Sequence, residues 1–210
     1  MKVPPPVTRR GQPNQSGSAR RAQIIDCAVD ALCELGFAGA SVGEIARRAG
    51  VSKGVVTYHF PDKNALLTTI VTDLYTTAGE RIARRIEASD NSAEALRGYL
   101  EANLGFIADH PRQVRASMEV MAGLRPNRDD PAPADPVTDH LADLLRTGQR
   151  DGEFGDFDAH SVALVLRAAI DSAARLVVAD PAFDFATYRR ELIALAQRAT
   201  THQNKGRSRS

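Results

Sequence analysis

At 210 residues the chain is long enough to bury a real core, and the length suits one small unit joined to a larger one. Charged residues interrupt every apolar stretch well short of the roughly 20 residues a membrane span needs, so no transmembrane segment is expected. The formal charge of +1 conceals a segregation: residues 1–65 hold nine Lys or Arg against five Asp or Glu, and residues 66–200 hold fifteen against twenty-one. A basic N-terminal part beside an acidic body excludes neither catalysis nor binding, but it is the footprint of a protein that puts one end on a polyanion.

In chain order, residues 1–17 are rich in Pro, Gly, Ser and Arg and lack the apolar stretch of a signal peptide. They read as a disordered basic arm; Arg9 and Arg10, with Arg20 and Arg21 after it, are placed to reach a phosphate backbone or a minor groove. A first helix from about Arg20 to Leu35 has Ile24, Ala28, Leu32 and Leu35 as its inner stripe and ends at Gly36. It carries the two cysteines of the chain, Cys27 and Cys33, six positions apart. On one helix that means about 9 Å of rise and about 240° of rotation, too far for a bridge. Burial is their expected state, and the lack of a cysteine framework fits a reducing cytoplasm.

The run Ser41 to Lys63, SVGEIARRAGVSKGVVTYHFPDK, carries the strongest functional signal. Ser41 followed three residues later by Glu44 is a capping box, so a helix starts at Val42. Ile45, Ala46 and Ala49 form its inward face and Arg47 and Arg48 its outward one, while Gly50 supplies the left-handed backbone of a tight exit. Ser52 caps a second short helix, with Val42, Val51 and Val56 filling the space between the two. This is a helix-turn-helix whose second helix enters the major groove. Lys53 supplies charge, Gly54 permits close approach, Val55 and Thr57 lie near base edges, and Tyr58 and His59 donate to phosphates. With Ser41, Val42 and Ser52 at the helix starts and Lys63 at the next one, these residues form the candidate DNA-binding set.

Residues 20–67 resemble the N-terminal domain of the tetracycline-repressor-like (TetR) family of bacterial transcriptional regulators. The resemblance rests on the first helix with its LGF ending (Leu35, Gly36, Phe37), the ASVGEIARRAGVSKG block, the YHF triplet at Tyr58 to Phe60, Lys63, and Leu66 and Leu67. It implies an all-α protein of about nine helices, with a three-helix DNA-binding domain over 18–65 and a helical ligand-binding and dimerisation domain over 66–200. It also implies a homodimer, an operator of double-stranded DNA and a small-molecule effector. Family members often carry a larger residue where this chain has Thr57 and a polar one where it has Val55, which leaves the bases read open.

The remainder reads as helical throughout. A fourth helix runs from about Lys63 to Ala88 with Leu66, Ile70, Leu74, Ile82 and Ile86 at helical spacing, a lever between the two parts. Asn91 with Glu94 caps a fifth, and Pro111 breaks it before a helix over 114–121. Residues 125–136 hold four prolines and are irregular; helix resumes at Pro136 and runs to about Arg150, before the turn GEFGDFD. Asp158 caps a helix to about Ala179, Asp184 one to about Thr200, and 201–210 form a disordered basic tail. The pairs Leu166 with Ile170 and Leu192 with Leu195 suit either a subunit interface or internal packing, and the resemblance favours the interface.

Candidate ligand-facing residues are Tyr99, Asn103, Phe106, Met118, Met121, His140, Arg167 and Asp171, with Arg175 one turn further on. No metal-ligand spacing, nucleophile elbow, P-loop or dinucleotide fingerprint occurs, so neither an enzyme nor a cofactor is expected. The expectation is a cytoplasmic regulator, most simply a repressor released from a pseudo-palindromic operator by a ligand. A helical protein-binding adaptor is the alternative.

Overall fold

The structure is a computed structural model and describes residues 14–124 and 136–202. Within them the chain is all-helical: α1 (Asn14–Gly39), α2 (Val42–Arg48), α3 (Lys53–His59), α4 (Lys63–Glu87), α5 (Ser92–Asp109), α6 (Pro111–Gly123), α7 (Pro136–Arg150), α8 (Ala159–Ala179) and α9 (Phe185–Thr200). The boundaries follow the side chains that satisfy orphan N–H groups. Ser41, Ser52, Asp62, Asn91, Asp158 and Asp184 each accept a backbone N–H from the first turn of the helix they precede. Pro111 opens α6 at a position where its missing N–H costs nothing.

Two apolar clusters organise these helices. The first gathers Ile24 and Leu32 of α1, Ile45 of α2, Val56 of α3 and Leu66 and Ile70 of α4 into a head. Ala116 and Val120 of α6 complete that core, so it reaches beyond residue 65, where the sequence suggested a domain limit. The second is built by Leu100 and Leu104 of α5, Leu141 and Leu145 of α7, Leu166 and Ile170 of α8, and Leu192 of α9. Two helices belong to both parts. On α4, Leu74, Ile82 and Ile86 pack on the body cluster; on α6, Val114 and Met118 do.

The seam between head and body is tight. Gly36 has φ 68° and turns the chain at the end of α1, which places Phe37 against α6. A Cβ added at Gly123 would lie 2.1 Å from the Phe37 ring, so glycine is what allows the ring to seat there. Arg112 of α6 pairs with Asp30 of α1, and Cys33 Sγ donates to the Arg112 carbonyl at 3.4 Å.

Several expectations change. α1 begins at Asn14, inside the stretch read as an arm; residues 1–13, with Arg9 and Arg10, lie outside the described residues, as do 125–135 and 203–210. Leu35 is 48% exposed rather than part of the inner stripe, because the turn at Gly36 gives the inward position to Phe37. Thr201 and His202 are tied down: Thr201 Oγ1 donates to the Arg198 carbonyl at 2.9 Å, and His202 Nε2 lies 3.0 Å from the Gly152 carbonyl. Leu166, Ile170 and Leu192 are buried in the chain's own core. Of the four candidates only Leu195 is left in solvent, with Leu164, Val165 and Leu176 of α8 exposed besides. Cys27 and Cys33 are half-buried free thiols, and burial raises the pKa of both.

Candidate nucleic-acid interface

The helix-turn-helix is held by contacts that all point inward from its exposed ridge. Ser41 Oγ accepts from the Glu44 N–H at 3.2 Å and Ser52 Oγ from the Val55 N–H at 3.3 Å. Between the two helices Gly50 takes φ 63°, and the Val51 N–H reaches back to the Ala46 carbonyl at 3.0 Å. Gln23 of α1 ties down the same turn, donating from Nε2 to the Ala49 carbonyl at 3.2 Å.

The capping box is only half formed. Glu44 does not return to the Ser41 N–H, which bonds the Gly39 carbonyl; its carboxylate accepts from Arg47 at 2.7 and 2.8 Å and from Arg48 at 2.7 Å. These hydrogen bonds, Arg47 first and Arg48 second, draw the Glu44 carboxyl down to about 2. Arg48 is not an outward residue. Only 17% of its side chain is exposed, and its guanidinium bridges Glu44 and, at 2.8 Å, Glu34 of α1, a strut that fixes α2 on α1.

The outer ridge of α3 is what remains available. Tyr58 is 85% exposed, its ring edge-on to His59 at 5.2 Å. Thr57 is exposed, and its hydroxyl donates back to the Lys53 and Gly54 carbonyls, each 3.2 Å away, which commits its proton to the helix. Val55 is half-buried against the head core, while Val56 is fully inside. Lys53 makes no ion pair among the described residues, and its stem lies over Gly43 of α2, where a Cβ would meet Lys53 Cε at 2.8 Å. Gly43 was missed in the sequence; its signal is a glycine inside a short helix, a choice that costs about 1 kcal/mol without a packing reason.

Lys63 stands at the start of α4 as expected, but its ammonium turns back. It donates to the Phe37 carbonyl at 2.5 Å and lies 4.2 Å from the Phe37 ring, and burial lowers its pKa. Arg21 covers the Phe60 ring at 5.0 Å, and Arg20 bonds Gln23 at 2.7 Å.

A second feature lies in the body. A cavity of about 790 Å³ opens between α4, α5 and α7. Tyr99 and His140 line it, joined by Leu144 and by Ile82 and Ile86, which the sequence marked only as helix stripe. The other ligand candidates lie elsewhere. Asn103 is engaged with the Tyr99 carbonyl at 2.8 Å, Phe106 is buried and stacks on His110 at 4.2 Å, and Met118 packs on the body core. Met121 is exposed beside the Tyr75 hydroxyl, Arg167 pairs with Asp171 at 3.1 Å and Arg175 donates to Ser172. Helical spacing put these residues on plausible faces; the order in which the helices stack decided which face meets the cavity. Among the described residues no helix is long and apolar enough to cross a membrane, and no group of three His, Cys, Asp or Glu is placed to hold a metal ion.

Comparison with known proteins agrees with this geometry. Residues 24–70 match the family of bacterial regulatory proteins, tetR family. The HTH-type transcriptional regulator BetI of Escherichia coli O45:K1 (strain S88 / ExPEC) is 35% identical over 102 residues, 49% of this chain and 51% of that protein. BetI of Klebsiella pneumoniae (strain 342) is 35% identical over 100 residues, 48% and 50% of the two chains. The chain thus spans about half the length of the curated relatives it matches. The fold of the whole is shared more widely. A bacterial regulatory protein in the tetR family from Rhodococcus RHA1 superposes with a TM-score of 0.73 at 19% identity, over 88% of this chain and 98% of that one. The fatty acid degradation regulator FadR from Bacillus halodurans does so with a TM-score of 0.67 at 19% identity, over 90% and 97%. The head therefore matches the tetR-family helix-turn-helix model, and the described residues share the fold of these solved structures.

Proposed function

We propose that the chain is a ligand-responsive transcriptional repressor that binds a pseudo-palindromic operator as a homodimer in the bacterial cytoplasm and is released by a small molecule. The observation that carries this reading is the outer ridge of α3. Lys53, Thr57 and Tyr58 are exposed, with half-buried His59 beside them, on a helix whose position is fixed by Ser52, Gly50 and the Arg48 strut. Tyr58 and Lys53 set the register on the phosphates, and Val55 and Thr57 meet base edges. Two such helices on a two-fold dimer would sit about 34–36 Å apart, one turn of DNA. The exposed residues Leu164, Val165, Leu176 and Leu195 of α8 and α9 supply the apolar face for that dimer.

Regulation follows from the two shared helices. A ligand in the cavity touches α4 at Ile82 and Ile86, and the same helix carries Leu66 and Ile70 into the head core. A ligand that fits better when the two heads are wrongly spaced draws the population away from the DNA-binding state, by no more than its differential affinity for the two states.

The test is to incubate the purified protein with fragmented DNA of its own genome at moderate salt and sequence the bound fraction. Enrichment of an inverted repeat, with an affinity that falls steeply as salt rises, is the expected result. Absence of enrichment, or binding indifferent to salt, overturns the reading in favour of a protein-binding adaptor. On the enriched sequence and its variants, Tyr58→Phe should weaken binding by a similar factor throughout, whereas Val55→Ala and Thr57→Ala should change the order of preference.

A further inference from the structure

We infer that the body cavity takes a lipophilic organic cation, a ligand class that deepens the ligand-responsive reading above and rests on it. The floor is apolar: Ile82 and Ile86 of α4, Tyr99 of α5, and Leu141 and Leu144 of α7. The rim is anionic. Glu87 and Asp90 reach it from the end of α4 and the link to α5, and Asp151 and Glu153 from the turn after α7. Among the described residues no Lys or Arg lines the cavity, and none of the four carboxylates forms a salt bridge. Glu153 accepts the Ala93 N–H at 3.1 Å, which holds it in place at the mouth without neutralising it.

The nearby arginines do not cancel this field. Arg81, Arg84 and Arg85 sit on the opposite face of α4, around a smaller hollow of about 290 Å³, where Asp109 holds Arg81 and Glu101 holds Arg85 at 2.7 and 2.8 Å. Arg150, at the end of α7, donates to Thr147 Oγ1 at 2.8 Å rather than to a rim carboxylate. A cation entering with its charge at the rim and its apolar body on the floor gains from both surfaces. An anion of the same shape is repelled, and a neutral molecule gains from the floor alone. One unit charge at about 4 Å in water is worth roughly fivefold in affinity, so the carboxylates act as a selectivity filter rather than as the main source of binding.

The experiment titrates the full chain with tetraphenylphosphonium and, separately, tetraphenylborate, ions of the same shape and opposite charge, by calorimetry. Saturable binding of the phosphonium and markedly weaker binding of the borate are expected. Glu87→Gln with Asp151→Asn, both exposed positions, should weaken the phosphonium by about twenty-fivefold, two fivefold steps. Gly79→Trp fills the cavity from α4, where a Cβ meets nothing within 4 Å, and should abolish saturable binding while the helical signal stays. Equal binding of both ions, or phosphonium affinity unmoved by either variant, overturns the inference. Genomic DNA capture read in parallel separates the two proposals: a charge-selective cavity without DNA enrichment sinks the regulator and leaves the cation site standing, and DNA enrichment without phosphonium binding does the reverse.

Discussion

In the head, the links between α1 and α4 are short, and each is closed by a named device: Ser41, Ser52 and Asp62 as caps, Gly50 in the left-handed region, Arg48 between two carboxylates. In the body α5, α8 and α9 are capped too, at Asn91, Asp158 and Asp184, but a cap fixes where a helix starts and not which face it buries. Leu164, Val165 and Leu166 follow one another on α8, and only Leu166 goes inside. Seven-residue helices joined by tight turns leave few ways to pack, whereas a helix of 21 residues that is apolar around most of its circumference leaves several.

The sharing of α4 and α6 is where this comparison can be broken most decisively. Leu32→Ala in the head core and Leu104→Ala in the body core should each cost about 2–5 kcal/mol, and both should shift one cooperative transition in thermal or denaturant unfolding. Two separable transitions would show that head and body are independent units. Next in size is the seam. Gly123→Ala sets a methyl 2.1 Å from the Phe37 ring and should cost about 1–3 kcal/mol, and a change near zero in melting would mean that Phe37 moves aside freely. Smaller again, Ser52→Ala removes the α3 cap and should cost about 1 kcal/mol of stability, with a larger fractional loss of DNA affinity because α3 is the helix presented.

The smallest effect is on acid stability. The Glu44 carboxyl titrates at about 2 in the folded chain because Arg47 and Arg48 hydrogen-bond its charged form. Its folded value lies below its unfolded one, so its contribution is present at neutral pH and is lost as pH falls from the ordinary carboxylate range through about 2. Glu44 pairs with Arg47, a guanidinium largely in solvent, so screening keeps the effect modest. Acid unfolding followed for the chain and for Glu44→Gln should show curves that differ at neutral pH and converge toward pH 2; curves that stay parallel would refute the linkage.

Much of the interface was legible because it depends on local chemistry. The starts of α2, α3, α5, α8 and α9 follow from single capping side chains, and Gly50 from a backbone conformation that other residues adopt only with strain. The exposure of Tyr58 follows from Val56 facing the core two positions earlier. What was not legible is what several helices decide jointly. A basic residue two positions beyond Ala46 could have pointed out; Glu34 of α1 drew Arg48 in. Lys63 could have reached DNA, and the carbonyl of Phe37 at the end of α1 turned it back.

By itself, then, the sequence determined the helices, the order in which they run and the turn that sets α3 on α2, because caps, glycines and periodicity act within a few residues. Tertiary structure alone decided that α6 finishes the head core, that Leu166 and Ile170 face inward while Leu164 and Val165 face out, and that Glu87, Asp90, Asp151 and Glu153 meet at one rim. Those outcomes depend on which helix lies against which, and that is set by the sum of many weak apolar contacts between residues far apart in the chain, where no single side chain carries the information.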